Sequence, residues 1–140
     1  MAAKKKKSTT RSDTSLESLN LYTFFLDRAS ESNTLRTALQ ALGARVKLHR
    51  DYFKDDEDDQ VWLPAVALKG WVIISQDQFN ELERQAIRNA GGRAFLIVEG
   101  SASGQEQAAI VTGAMRRMLR ILKPTPAPFI ARIYRQTGYF

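Results

Sequence analysis

Two aspartates stand just past short apolar runs. Asp27 directly follows LYTFFL (21–26), and Asp77 lies two residues beyond WVIIS (71–75). Further acid comes from the run Asp55, Asp56, Glu57, Asp58 and Asp59. Carboxylates brought close together repel, so two or three at one site need a cation, or one of them takes up a proton. Magnesium and manganese prefer oxygen ligands and keep several waters. Such an ion polarises a phosphoryl oxygen and lowers the pKa of a water. That route hydrolyses phosphodiesters with no Ser, Cys or His nucleophile, which suits a chain with one histidine and no cysteine. The absence of cysteine also excludes disulfides, zinc–thiolate sites and thiol nucleophiles, and it fits a reducing compartment.

Each of these residues has a plainer reading. Asp27 is also what begins a turn after a strand. Asp77 is also what caps a helix, accepting from the backbone N–H near Asn80. On local grounds Asp59 belongs to a solvated loop, and the DDEDD run lacks the glycine and terminal Glu spacing of an EF-hand. His49 reads as a surface or sheet residue. Ser75 reads as a strand end or as a hydroxyl supporting Asp77. The stripe Met115, Met118, Leu119 reads as core.

The elements that must position the acids follow from the spacing of apolar residues. LYTFFL, Arg45–His49, WVIIS and AFLIV (94–98) read as strands, and FIARIY (129–134) as a final edge strand after the stiff KPTPAP linker (123–128). Leu35, Ala38, Leu39 and Leu42 recur at helical spacing before Gly43. Phe79, Leu82 and Ala86 recur on one face before Gly91 and Gly92, and Ala108–Leu122 forms a long amphipathic helix. Between the acidic run and the third strand lies an apolar stretch, Val61–Leu68, in which Pro64 disfavours a helix starting well before it. Strands alternating with helices predict an α/β fold with a mainly parallel sheet. In such sheets ligands gather at the carboxyl ends of the strands, which is where Asp27 and Asp77 fall.

A length of 140 residues suits one domain with one sizeable core. Residues 1–18 read as a disordered basic tail, with the domain over 19–140. No apolar run nears the roughly 18 residues of a membrane span, and the basic N-terminus has no apolar region after it, so the expected location is cytoplasmic. The net charge is +6, and its distribution is uneven. Asp51–Asp59 is acidic, whereas the last forty residues carry Arg116, Arg117, Arg120, Lys123, Arg132 and Arg135 against Glu106. A compact acidic cluster in a basic chain is the charge pattern of a metal-dependent nuclease, although ordinary surface charge also accounts for it.

FFLDR (24–28) resembles the first acidic motif of a PIN-like family related to the VapC ribonuclease toxins. DDQVWLPAVALKGWVIISQD (58–77) resembles its middle block: an acid three residues before a Trp-Leu pair, then a glycine, an apolar strand and an acid. LERQAI (82–87) matches a following block with an embedded glutamate, and PAPFIARIY (126–134) resembles the typical ending. The resemblance spans roughly residues 21–135. It implies a single three-layer α/β/α PIN-like domain, acting as a metal-dependent endoribonuclease with Mg2+ or Mn2+. The catalytic and metal-binding acids carried over are Asp27, Asp59 and Asp77. Asp58 is the alternative to Asp59, and Glu83 is a fourth metal candidate. A role as the toxin of a toxin–antitoxin pair is implied by the resemblance alone. RNA, an antitoxin protein and a second copy of the chain are the expected partners, and no membrane. Two positions depart from the pattern. Arg28 and Ala29 follow the first acid where a small hydroxyl residue or Asn is usual, and Phe79 stands where related domains often carry a further acid. The departures favour an alternative, a catalytically inactive PIN-like module binding RNA or protein. A phospho-acceptor receiver domain fits less well, because Asp27 has no acidic neighbour and AFLIV leads to Glu99 rather than to a lysine.

Overall fold

The computed structural model describes residues 16–98 and 102–135. Five strands alternate with four α-helices: β1 (Thr23–Leu26), α1 (Asn33–Ala41), β2 (Arg45–Leu48), α2 (Asp59–Leu68), β3 (Val72–Ser75), α3 (Glu81–Asn89), β4 (Arg93–Ile97), α4 (Gly104–Leu122) and β5 (Phe129–Ile133). Short 3-10 helices lie at Leu16–Leu21 and His49–Asp51. The sheet order is β2-β1-β3-β4-β5, and every neighbouring pair is parallel. FIARI is thus the edge strand that its sequence suggested, and the sheet is parallel throughout rather than mainly so.

Successive side chains of a strand point to opposite faces. Here that alternation builds two cores. Phe24, Leu26, Val72, Ile74, Phe95 and Ile97 face one way, into the core shared with α1 and α4. Phe25, Ile73, Ala94 and Leu96 face the other way, onto Trp62, Leu63 and Val66 of α2 and Ile87 of α3. The near-continuous apolar runs in the sequence are what a strand covered on both faces requires. A three-layer α/β/α sandwich results.

Helix starts are marked by side-chain caps. Ser32 accepts from Leu35 N, and Asp58 accepts from Gln60 N. Asn80 with Glu83 and Ser103 with Glu106 form reciprocal capping boxes. The second box starts α4 at Gly104, earlier than apolar periodicity alone placed it. Pro64 lies inside α2 and leaves the Gln60 carbonyl without its usual helical donor. Because Gln60 is exposed, water can serve that carbonyl. The amino-terminal boundary differs from the one expected at residue 18. Ser18 and Leu19 are buried and Leu16 packs against the core, so the packed chain includes part of the stretch read as a tail. The four lysines at 4–7 lie outside the described residues.

Close approach rather than turn geometry explains Gly92, which joins α3 to β4. A Cβ there would lie 2.9 Å from Ile87 Cγ2, 3.0 Å from Ala67 Cβ and 3.1 Å from the Ile87 carbonyl. Gly92→Ala is therefore expected to lower stability by about 1–3 kcal/mol through overpacking. A urea unfolding midpoint equal to that of the wild type would show that this joint has slack.

Candidate metal centre

The chain leaves β1 in both lateral directions. β2 lies on one side of it and β3 on the other, with α1 and α2 covering opposite faces. At such a switch point the connecting segments diverge and leave a crevice at the carboxyl ends of the two central strands. Asp27 follows β1 directly, and its N–H donates to the Ile74 carbonyl of β3, 3.3 Å away. Asp77 comes two residues after β3. The topology therefore brings these two acids to the same edge of adjacent strands.

Ser75 ties them together. Its hydroxyl donates to Asp27 Oδ2 at 2.6 Å and accepts from Asp77 N at 2.8 Å. Asp27 Oδ1 accepts from Ala29 N at 3.1 Å. Asp27 is buried, and desolvation pushes its carboxyl up from the ordinary 3.8 to about 7. The Ser75 hydroxyl and the Ala29 N–H oppose the rise, whereas the nearby charges of Asp77 and Asp59 add to it. A carboxyl so placed is fully ionised at neutral pH only if a cation joins it.

Asp77 is exposed, and it is not the cap of α3, a role that belongs to Asn80. Its Oδ1 instead accepts from Phe79 N at 2.9 Å. That bond helps hold Phe79, buried and in the left-handed region at φ 57°, a conformation that side chains with a Cβ rarely adopt. Arg84 donates to the carbonyls of Gln78 and Phe79 from the other side.

Asp59 is the first residue of α2, and Trp62 is three residues on, on the same helical face. The buried indole must place its N–H, and it donates to Asp59 Oδ1 at 2.6 Å. That bond gives a physical reason for an acid three residues before a tryptophan. It also separates the two neighbours: Asp59 turns inward, while Asp58 is exposed and spent on the cap. Arg28 Nη2 reaches the same Oδ1 at 2.6 Å, and its Nη1 donates to the Asp55 carbonyl. Glu83 lies within reach as well. Burial raises its pKa, the Asn80 N–H that it accepts opposes the rise, and Asp59 and Asp77 add to it.

Two glutamines hold the loop behind Asp27. Gln76 Nε2 and Gln107 Nε2 both donate to the Ala29 carbonyl at 3.2 Å, pinning the loop that carries Asp27. Neither glutamine carries a sequence signal that marks it. His49, expected on the surface or in the sheet, is fully buried among Phe25, Phe53 and Trp62, with ring centroids 5.2–6.2 Å away. Both of its ring nitrogens are without a partner. Burial lowers its pKa, and the Arg28 charge lowers it further, so it stands neutral behind the site. A cavity of about 200 Å³ between α4 and β5 is lined by Phe95, Met118, Ile133, Arg117 and Arg132 among others, and by none of the candidate acids.

The donor set suits a hard divalent cation in kind, since Asp27, Asp59, Asp77 and Glu83 are all oxygen ligands within electrostatic reach of one another. Among the described residues, however, no three acidic or histidine side chains stand as a ready-made cage. The Arg28 guanidinium already occupies one Asp59 oxygen.

A parallel sheet between two helical layers, with acids at its switch point, is the α/β/α class to which the fold belongs. The chain belongs to the PIN-like domain family, whose profile matches residues 22–99, from the start of β1 to just past β4. Neither a curated protein nor a solved structure matches it. Among the described residues, no helix is long and apolar enough to cross a membrane.

Proposed function

We propose that the protein is a metal-dependent endoribonuclease acting on RNA phosphodiester bonds, with Asp27, Asp59 and Asp77 holding Mg2+ or Mn2+ and Glu83 beside them. The observation that carries this reading is the buried Asp27 carboxyl joined through Ser75 to Asp77 at the switch point, with its pKa raised to about 7. A cation is the natural remedy for that arrangement. When bound, the ion supplies polarisation of the phosphoryl group and acidification of a water. The chain's own residues orient the carboxylates: Ser75 and the Ala29 N–H fix Asp27, the Phe79 N–H fixes Asp77, and Trp62 fixes Asp59. A net charge of +6, with exposed Arg116, Arg120 and Arg132, supplies the attraction for a polyanion. The family resemblance extends the reading to the toxin of a cytoplasmic toxin–antitoxin pair, with an antitoxin as partner and a homodimer as its assembly.

The test is cleavage of a mixed RNA by the full chain with magnesium or manganese. The expected result is cleavage that stops when a chelator is added and returns with excess metal. Cleavage indifferent to chelator would sink the metal reading. The Arg28–Asp59 ion pair, together with Phe79 where a further acid is common, favours a second reading, a non-cleaving module that binds RNA or protein. RNA retained without cleavage under every metal condition is the outcome that would select it.

A further inference from the structure

We infer that Arg28 is the built-in counter-cation of Asp59 and determines how tightly the acidic crevice takes a divalent ion. The inference rests on the metal-dependent reading above. Arg28 directly follows Asp27, so β1 delivers an acid and a base to the same crevice. Its guanidinium spans 31 residues of sequence to meet Asp59 at 2.6 Å. It is not merely a surface partner, since the Asp59 side chain is only 15% exposed and that of Arg28 31%. The pair is also anchored a second time, through the Asp55 carbonyl.

Two consequences follow from charge and from geometry. A guanidinium in contact with one ligand of the site repels a dication at close range, in surroundings where screening is weaker than in bulk water. It also shares Oδ1 with the Trp62 N–H, so that this oxygen already accepts two hydrogen bonds. A metal that uses Asp59 must therefore displace the guanidinium or take a weakened ligand. Trp62 continues to hold Asp59 when Arg28 is removed, so the acid stays in place and its charge becomes available. Arg28 is thus a positioning residue that acts through Asp59, and it sets the metal affinity of the crevice.

The test is a Mn2+ titration of the full chain by calorimetry without RNA, paired with the Mn2+-induced rise in melting temperature. Arg28→Ala should bind Mn2+ roughly tenfold more tightly than wild type, because one positive charge leaves the neighbourhood of the ion. Arg28→Lys keeps the charge but loses the planar fork, and it should fall between the two. In an Asp59→Asn background Arg28→Ala should give a clearly smaller gain, because the part that acts through the Arg28–Asp59 contact is gone and only the through-space repulsion remains. If Arg28→Ala folds poorly, Arg28→Gln reads the same loss of charge with a polar side chain kept. Wild type and Arg28 variants that bind Mn2+ equally, or a gain undiminished with Asn at position 59, would overturn the inference and leave the metal site standing. Absence of Mn2+ binding by wild type and variants alike would overturn the metal site, and the inference with it.

Discussion

Asp77→Asn is expected to reduce RNA cleavage by on the order of a hundredfold or more, while leaving the fold intact. Asn keeps the oxygen that accepts from Phe79 N, so the turn that holds Phe79 at φ 57° survives. What it loses is the charge. In the metal reading that charge is one of the three that retain the ion, and Asp77 is the exposed one. Stability should hold or rise slightly in the absence of metal, because Asp77 is one of the charges that push the Asp27 carboxyl up. The comparison is cleavage by wild type and variant at matched concentration, with circular dichroism melts as the control for folding. Equal cleavage by the two would confine Asp77 to its turn and remove it from the chemistry.

Asp27→Asn should raise stability in chelator at pH 8 and change its dependence on pH. The sign follows from the proton balance. Asp27 titrates at about 7 in the folded chain and at the ordinary 3.8 when unfolded. Below 3.8 both states are protonated, and the contribution to stability is whole. Between 3.8 and about 7 the unfolded chain releases its proton and the folded chain does not, so stability falls as pH rises. A shift of this size corresponds to on the order of 4 kcal/mol. Asn removes the titration but offers one oxygen to two donors, so either the Ser75 hydroxyl or the Ala29 N–H loses its acceptor, and the net gain at pH 8 should be smaller, about 1–3 kcal/mol, or several degrees in Tm. His49 works in the opposite direction. Its pKa is lowered in the folded chain, so its contribution is lost as pH falls through 6.5 and below. Because of that opposition, the informative quantity is the difference between wild type and Asp27→Asn melts from pH 4 to 8. That difference should widen with pH and level off near 7. Parallel profiles would show that Asp27 is not the buried acid its environment makes it. Adding Mn2+ at pH 8 should stabilise wild type and largely spare the variant, since only a site that binds the ion gains from it.

Much of this architecture is legible along the chain. A strand covered on both faces must be apolar throughout, and LYTFFL, WVIIS and AFLIV mark three adjacent strands of the sheet for that reason. An acid just past such a run lies at a carboxyl end, so Asp27 and Asp77 were visible as candidates before any fold was known. The Asn80–Glu83 and Ser103–Glu106 caps were equally open to reading, because their three-residue spacing is itself the mechanism. Apolar periodicity begins only after the cap, so it marks neither box. Asp59 could be reached only through resemblance. Inside a run of five acids, burial is not written locally, and it takes the helix start and the Trp62 N–H to turn one carboxylate inward.

Local spacing thus marks the strands, three of the four α-helices and the placing of acids at strand ends, since these depend on neighbours within a few residues; the helix Asp59–Leu68, with Pro64 inside it, is not marked that way. Which strands lie side by side is a matter of tertiary packing alone. Without the order β2-β1-β3-β4-β5, Asp27 and Asp77 are two acids fifty residues apart, and with it they are joined through one serine hydroxyl. The burial that carries Asp27 to about 7, the unpartnered His49 ring among aromatics and the Arg28 guanidinium on Asp59 belong to the same class. Desolvation and ion pairing depend on what stands within a few ångströms in space, and local sequence spacing does not encode that distance.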